Sequence, residues 1–64
     1  MKQRELISYI EGKDKKASVF HTSQGYEVDL IQNEKVLETR KAYAYSIHYA
    51  EDIAYNWISG LIKL

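Results

Sequence analysis

The chain has 64 residues, nine basic and nine acidic side chains, no cysteine and no proline. That length holds one small domain whose core buries only about 60% of the surface of the unfolded chain, and the missing cysteines remove disulfides, thiol catalysis and the usual zinc ligand sets. A net charge of zero argues against a broad sequence-independent nucleic-acid footprint, which needs an excess of Lys and Arg.

Residues 1–16 are slightly basic. Lys2, Arg4, Lys13, Lys15 and Lys16 stand against Glu5, Glu11 and Asp14, five minus three, a surplus of two positive charges. A modest basic end reads as a solvated arm. Leu6, Ile7 and Ile10 have helical spacing with Gly12 as a stop, while "LISYI" also has the composition of a strand. Of the two, a short helix or an arm over 1–16 is the expectation adopted. "GKDKK" follows as a solvated loop.

"ASVFHTSQGYEVDLI" gives two β-rich runs flanking a turn at Gln24–Gly25. That turn pairs Ser23 with Tyr26, His21 with Val28 and Val19 with Leu30. One face then shows Val19, His21, Tyr26, Val28 and Leu30, and the other Phe20, Thr22, Glu27, Asp29 and Ile31. A second hairpin is expected around Asn33–Glu34, since Asn tolerates the left-handed conformation. It pairs Leu30 with Leu37 and Glu27 with Arg40, but sets Asp29 opposite Glu38, an unfavourable match that a one-residue shift or a bulge would relieve.

Ser46 is a candidate N-cap for a final helix over 46–63. Ile47, Ala50, Ala54, Trp57, Leu61 and Leu64 step by three and four, and Ile53, Ile58 and Ile62 widen the stripe. The apolar arc spans about 180°, against the roughly 100° that one contact typically needs. Gly60 lies inside the pattern, as a site of close backbone approach or a frayed end. The core is expected to join Ala50, Ile53, Ala54, Trp57 and Leu61 to Val19, Val28, Leu30 and Leu37. The fold class is therefore α+β: a three-stranded antiparallel meander (17–43) packed by one C-terminal helix, with a short N-terminal helix or arm.

Residues 17–62 hold a set of motif positions that carries a resemblance. It runs through Ala17, Val19 and Phe20, then Tyr26, Val28 and Leu30, then Asn33 and Lys35. It closes with Ser46, Tyr49, Ala50, Glu51, Asp52, Ala54, Asn56, Trp57 and Gly60. The string Y-A-E-D-x-A-x-N-W-x-x-G resembles a group of small ββ(β)α proteins encoded by tailed phages, cyanophages in particular. The resemblance implies a phage origin and a hairpin-plus-helix layout, and it implies no mechanism. The chain departs from the pattern at Glu34, where glycine is usual, which bears on the type of turn.

No catalytic set is identifiable, so the expectation is a protein that is not an enzyme and needs no cofactor. His48, Glu51 and Asp52 at i, i+3 and i+4 could meet on one helix face, but a metal site wants three or four converging ligands. His21 reads as a hydrogen-bonded core histidine or one at the sheet margin. An N-terminal helix would give the α-β-β-β-α order of the double-stranded RNA-binding domain. The lysine cluster that such domains carry at the start of the last helix is replaced here by "SIHYAEDIA", which disfavours nucleic acid. The reading adopted is a protein-interaction module, with a host or phage protein as partner and self-association as an equal alternative. Its surfaces would be Phe20, Ile31 and Val36 on the open sheet face and Tyr45, Tyr49, Tyr55, Ile58 and Ile62 around the helix. Charges interrupt "MKQRELISYIEG" and no apolar run nears the roughly 20 residues of a membrane span, so a soluble, cytoplasmic protein without membrane association is expected.

Overall fold

The computed structural model describes residues 3–64, and Lys2, one of the N-terminal cations noted above, lies outside the described residues. Four strands run in sequence order through one antiparallel sheet: β1 (Glu5–Glu11), β2 (Lys15–Thr22), β3 (Gly25–Gln32) and β4 (Lys35–Ala42). A single helix, α1 (Ile47–Ile58), crosses one face of the sheet, mainly over β2 and β3. The class is α+β as expected, with one strand more. Within the segment assigned to an arm or short helix, Glu5–Glu11 form β1, and Lys15 and Lys16, expected in a loop, begin β2. "LISYI" follows its strand composition, and pairing with the edge of β2 fixes it in the sheet. With a strand first, the order is ββββα, and the α-β-β-β-α topology is not present.

The first long hairpin turns one residue earlier than expected. Thr22 pairs with Gly25, His21 with Tyr26 and Val19 with Val28. The Thr22 hydroxyl accepts from the Gln24 N–H (3.0 Å) and donates to the Gly25 carbonyl (3.0 Å), fixing a Ser23–Gln24 turn. The slip displaces partners by two, so every side chain keeps its assigned face. Gly25 has φ of 137°, and a Cβ there would lie 2.7 Å from Tyr43 Cα, so a side chain is excluded on both counts.

The second hairpin does turn at Asn33–Glu34, with positive φ at both residues (52° and 67°), the dihedrals of a two-residue primed turn. Glu34 adopts this left-handed conformation without being glycine. Next to the turn the register shifts. Ile31 faces Val36, but Leu30 faces Glu38, leaving Leu37 as the extra residue of a β-bulge. The expected Asp29–Glu38 conflict disappears, because Asp29 now faces Thr39 and Glu27 faces Lys41. Beyond the bulge β4 is inverted relative to expectation. Glu38, Arg40 and Ala42 point to the helix side, and Leu37 leaves the core and is half-exposed.

The core is a thin layer. Ala17 and Val19 of β2, Val28 and Leu30 of β3, and Ala42 meet Ala50, Ile53, Ala54 and Trp57 of the helix, with Ile10, Tyr26, Ile58 and Ile62 at its margin. Trp57 is the largest fully buried side chain, and its indole N–H donates to the Ile31 carbonyl (3.1 Å) beside the bulge. Lys15 closes the other side, its ammonium 4.5 Å over the indole and donating to the Trp57 carbonyl at 3.4 Å.

The helix is shorter than expected at its C-terminal end. Ser59 is the C-cap, Gly60 has φ of 89°, the Gly60 N–H donates to Trp57 O (3.2 Å) and the Leu61 N–H to Asn56 O (2.8 Å). This is the Schellman arrangement, in which glycine takes the left-handed position that ends a helix. Leu61, expected in the core, is therefore thrown outward and is 76% exposed, while Ile62 folds back onto the core. At the other end Ser46 is the N-cap with extended backbone, but its side chain makes no capping bond. Its carbonyl accepts from Tyr49 and Ala50.

Truncating the indole in so thin a layer should be severe. Trp57→Ala is expected to cost about 3–5 kcal/mol in urea unfolding, enough to abolish stable folding. A variant melting with the parent would place the indole outside the core. Gly25→Ala is expected to lose more than about 1 kcal/mol, since it adds a clash to an unfavourable φ. An unchanged midpoint would show that the β3 start can move away from Tyr43.

Candidate functional site

One helix cannot cover both faces of a sheet, so the outer face is the first place to look for function. It is built by alternation. Leu6 and Tyr9 of β1, Lys16, Ser18 and Phe20 of β2, Glu27, Asp29 and Ile31 of β3, and Val36, Thr39 and Lys41 of β4 share it. Its centre is charged and yet withdrawn from water. Glu27 and Asp29 are only 3% and 5% exposed, side by side on an interior strand.

Carboxylates so placed require partners, because an unpaired buried charge costs several kcal/mol. Arg4, just before β1, reaches across β2 to supply them. Its guanidinium donates to both Asp29 oxygens (Nη1 to Oδ1 3.1 Å, Nη2 to Oδ2 3.2 Å) and more weakly to Glu27 Oε1 (3.4 Å). The two-pronged contact with Asp29 has the fork geometry that makes arginine stronger than lysine at such sites. The same guanidinium lies 3.9 Å above the Phe20 ring. Thr39 donates to Asp29 Oδ1 at 2.7 Å, a bond available only because the bulge brings Thr39 opposite. Tyr43, just past β4, donates its phenol proton to Glu27 Oε2. The side chains meeting on this acidic pair thus come from before β1, from β4 and from beyond it.

The guanidinium is held above its ordinary range, first by the hydrogen bond to Asp29. A cation whose folded pKa is raised contributes fully at every pH below its unfolded value. The Arg4 clasp therefore remains intact on the cation's side until strongly alkaline solution.

Of the eight residues expected to offer partner surface, the three assigned to the open sheet face lie on it, and the five assigned to the helix and its surroundings divide between exposed and half-buried positions. Phe20, Ile31 and Val36 lie on the outer sheet face. There Phe20 is half-buried under Arg4, Ile31 is half-buried and Val36 is exposed. Leu6 and Tyr9 join them as exposed apolar groups that sequence reasoning left in an arm. Glu38 and Arg40, expected on this face, lie on the other one and pair with each other at 3.2 Å. On the helix side, Tyr45 and Tyr49 are exposed and stacked, ring centroids 4.0 Å apart at 20°. Tyr55 is exposed beside β1, at the rim of a cleft of about 230 Å³ lined also by Ser8, Ile10, Val19 and Ala54. Ile58 and Ile62 are half-buried at the core margin, Ile58 beside Gly12, so neither is surplus surface. His21 is exposed on the helix-side face, its ring tilted 5.1 Å from Tyr26.

For chemistry the arrangement offers little. His48 Nδ1 stands 3.7 Å from Glu51 Oε1 in solvent, with Asp52 exposed nearby, and no group of three or more metal-ligating side chains converges among the described residues. Among the described residues no helix is long and apolar enough to cross a membrane. The Arg4–Asp29–Glu27 cluster was missed in the sequence, although acids two apart in "YEVDLI" already mark one strand face as polar. Searches of protein-family models, curated proteins and solved structures produced no match for the chain.

The clasp makes a measurable claim. A double-mutant cycle of Arg4→Ala and Asp29→Ala is expected to give a coupling of about 1–2 kcal/mol, above an exposed pair and below a fully buried one because Arg4 is partly solvated. Additivity of the two substitutions would show that the contact contributes nothing to folding.

Proposed function

We propose that the chain works by binding protein, as a small accessory protein of the phage type that engages a host or phage protein in the cytoplasm, self-association being one mode of that binding. The observation that supports this reading most is the exposure of apolar and aromatic side chains on both sides of the fold. Leu6, Tyr9 and Val36 flank the outer sheet face, and the stacked Tyr45 and Tyr49 stand at the helix entrance. Aromatic side chains are residue types that interface centres favour, and stacked rings lose less freedom when a partner covers them. The phage-like helix string adds the suggestion of origin. No catalytic or cofactor role is assigned to any residue.

The tyrosine pair can be tested apart from the fold. Tyr45→Lys with Tyr49→Lys is expected to leave the free energy of urea unfolding within about 1 kcal/mol of the parent, since both rings are exposed and the pair contributes about that much. The same change should abolish capture of protein from host lysate by the immobilised chain. A chain that scatters light as a single 7.5 kDa species at every concentration and captures nothing would overturn the proposal.

A further inference from the structure

The strands differ sharply in how firmly they are held. Of the seven residues of β1, six are exposed and only Ile10 reaches the core margin. The strand has β2 as its one neighbour, and a cleft of about 230 Å³ separates it from the helix, between Ser8 and Ile10 on one side and Ala54 and Tyr55 on the other. Burial of apolar side chains therefore fixes β1 little. What fixes it is the ladder to β2 and the Arg4 clasp across to Asp29 and Glu27. Beyond it the chain passes through the exposed residues Gly12, Lys13 and Asp14, held by two backbone bonds, Gly12 N–H to Lys15 O (2.8 Å) and Asn33 N–H to Asp14 O (3.0 Å), and by Gln32 Nε2 donating to Asp14 Oδ2 (3.1 Å).

We infer that β1 is an exchangeable strand, which two copies of the chain trade, each β1 lying on the β2 of the other copy. This rests on the self-association included in the proposed function and gives it a geometry. The occupant is dictated by what β1 leaves behind. Departure of β1 bares the β2 edge, which fits a strand whose bulge falls between Leu6 and Ser8, and takes the Arg4 guanidinium away from the Asp29 and Glu27 carboxylates of β3. A second copy brings both by construction, and an arbitrary strand brings neither. Plain edge-to-edge pairing is opposed at both ends of the sheet, because β1 and β4 each carry a bulge and charged side chains that spoil a flat edge. Exchange needs no flat edge. It re-forms every β1 contact and gives up only the turn bonds, and a two-fold trade closes on itself.

Cysteine chemistry tests this cleanly, because the chain has no native thiol. Tyr9 and Ser18 are register partners on β1 and β2. Tyr9→Cys and Ser18→Cys chains, each checked for the parent's circular dichroism, are mixed at high concentration in a glutathione buffer. Tyr9→Cys is mixed separately with Thr39→Cys, whose thiol sits on β4. Exchange predicts that the disulfide heterodimer from the first mixture exceeds that from the second on the order of tenfold or more, since pairing raises the local concentration of the two thiols. The Tyr9→Cys/Ser18→Cys double variant, oxidised when dilute, should lock β1 at home and stay monomeric. A dimeric mass for the parent with no preference for the first pair would overturn exchange and leave self-association standing. A monomeric parent at every concentration would overturn both.

Discussion

Asp29 and Glu27 sit on the interior strand β3, on the sheet face that the helix does not cover, and both are almost wholly withdrawn from water. A carboxylate in that position must be paired, and the satisfaction of these two organises much of the molecule. Arg4 has to arrive from before β1, so β1 must add to the sheet. Thr39 has to face Asp29, so β4 must carry a bulge. Tyr43 has to reach Glu27, so the chain must hold its line past Ala42 before turning into the helix. The polar cluster does for the outer face, in part, what the helix does for the inner one.

The inner face has the opposite character. Four alanines (Ala17, Ala42, Ala50 and Ala54) let the helix come close to the sheet, and Trp57 fills the space that such small residues leave. Both ends of that helix are set by backbone geometry more than by side chains: the Ser46 carbonyl at the start and the left-handed Gly60 at the end. A core of this size has little margin. Contacts at its border, such as Lys15 over the indole and Ile62 folded back after Gly60, therefore weigh more than they would in a larger domain.

The parts of this arrangement that could be read from sequence are those set by local rules. The Asn33–Glu34 turn, the alternation of β2 and β3 and the helical steps from Ile47 to Trp57 depend on neighbours in the chain. The β2–β3 turn lies one residue from its expected place, yet the faces survive, because partners slide by two. What could not be read depended on distant partners. "LISYI" suits helix or strand alone, and only the waiting edge of β2 decides it. The clash of Asp29 with Glu38 suggests the β4 bulge, but its position, which expels Leu37 and admits Ala42, is set by the needs of Asp29 on the other face. Leu61 fits the helical stripe and is lost from it because Gly60 ends the helix, a choice that the periodicity does not encode. Ile58 and Ile62 fit the same stripe and read as spare surface, but packing at the core margin half-covers them, which spacing along the chain does not say.

The sealed indole has a practical corollary. Trp57 is the chain's one tryptophan, enclosed between sheet and helix with a cation over its ring, while the phenols of Tyr9, Tyr45, Tyr49 and Tyr55 stand in solvent. Ultraviolet emission from this molecule thus separates by wavelength into an interior voice and a peripheral one. Whatever settles on the outside should alter the phenolic signal first, and a change in the indole band would announce that the disturbance had passed inward.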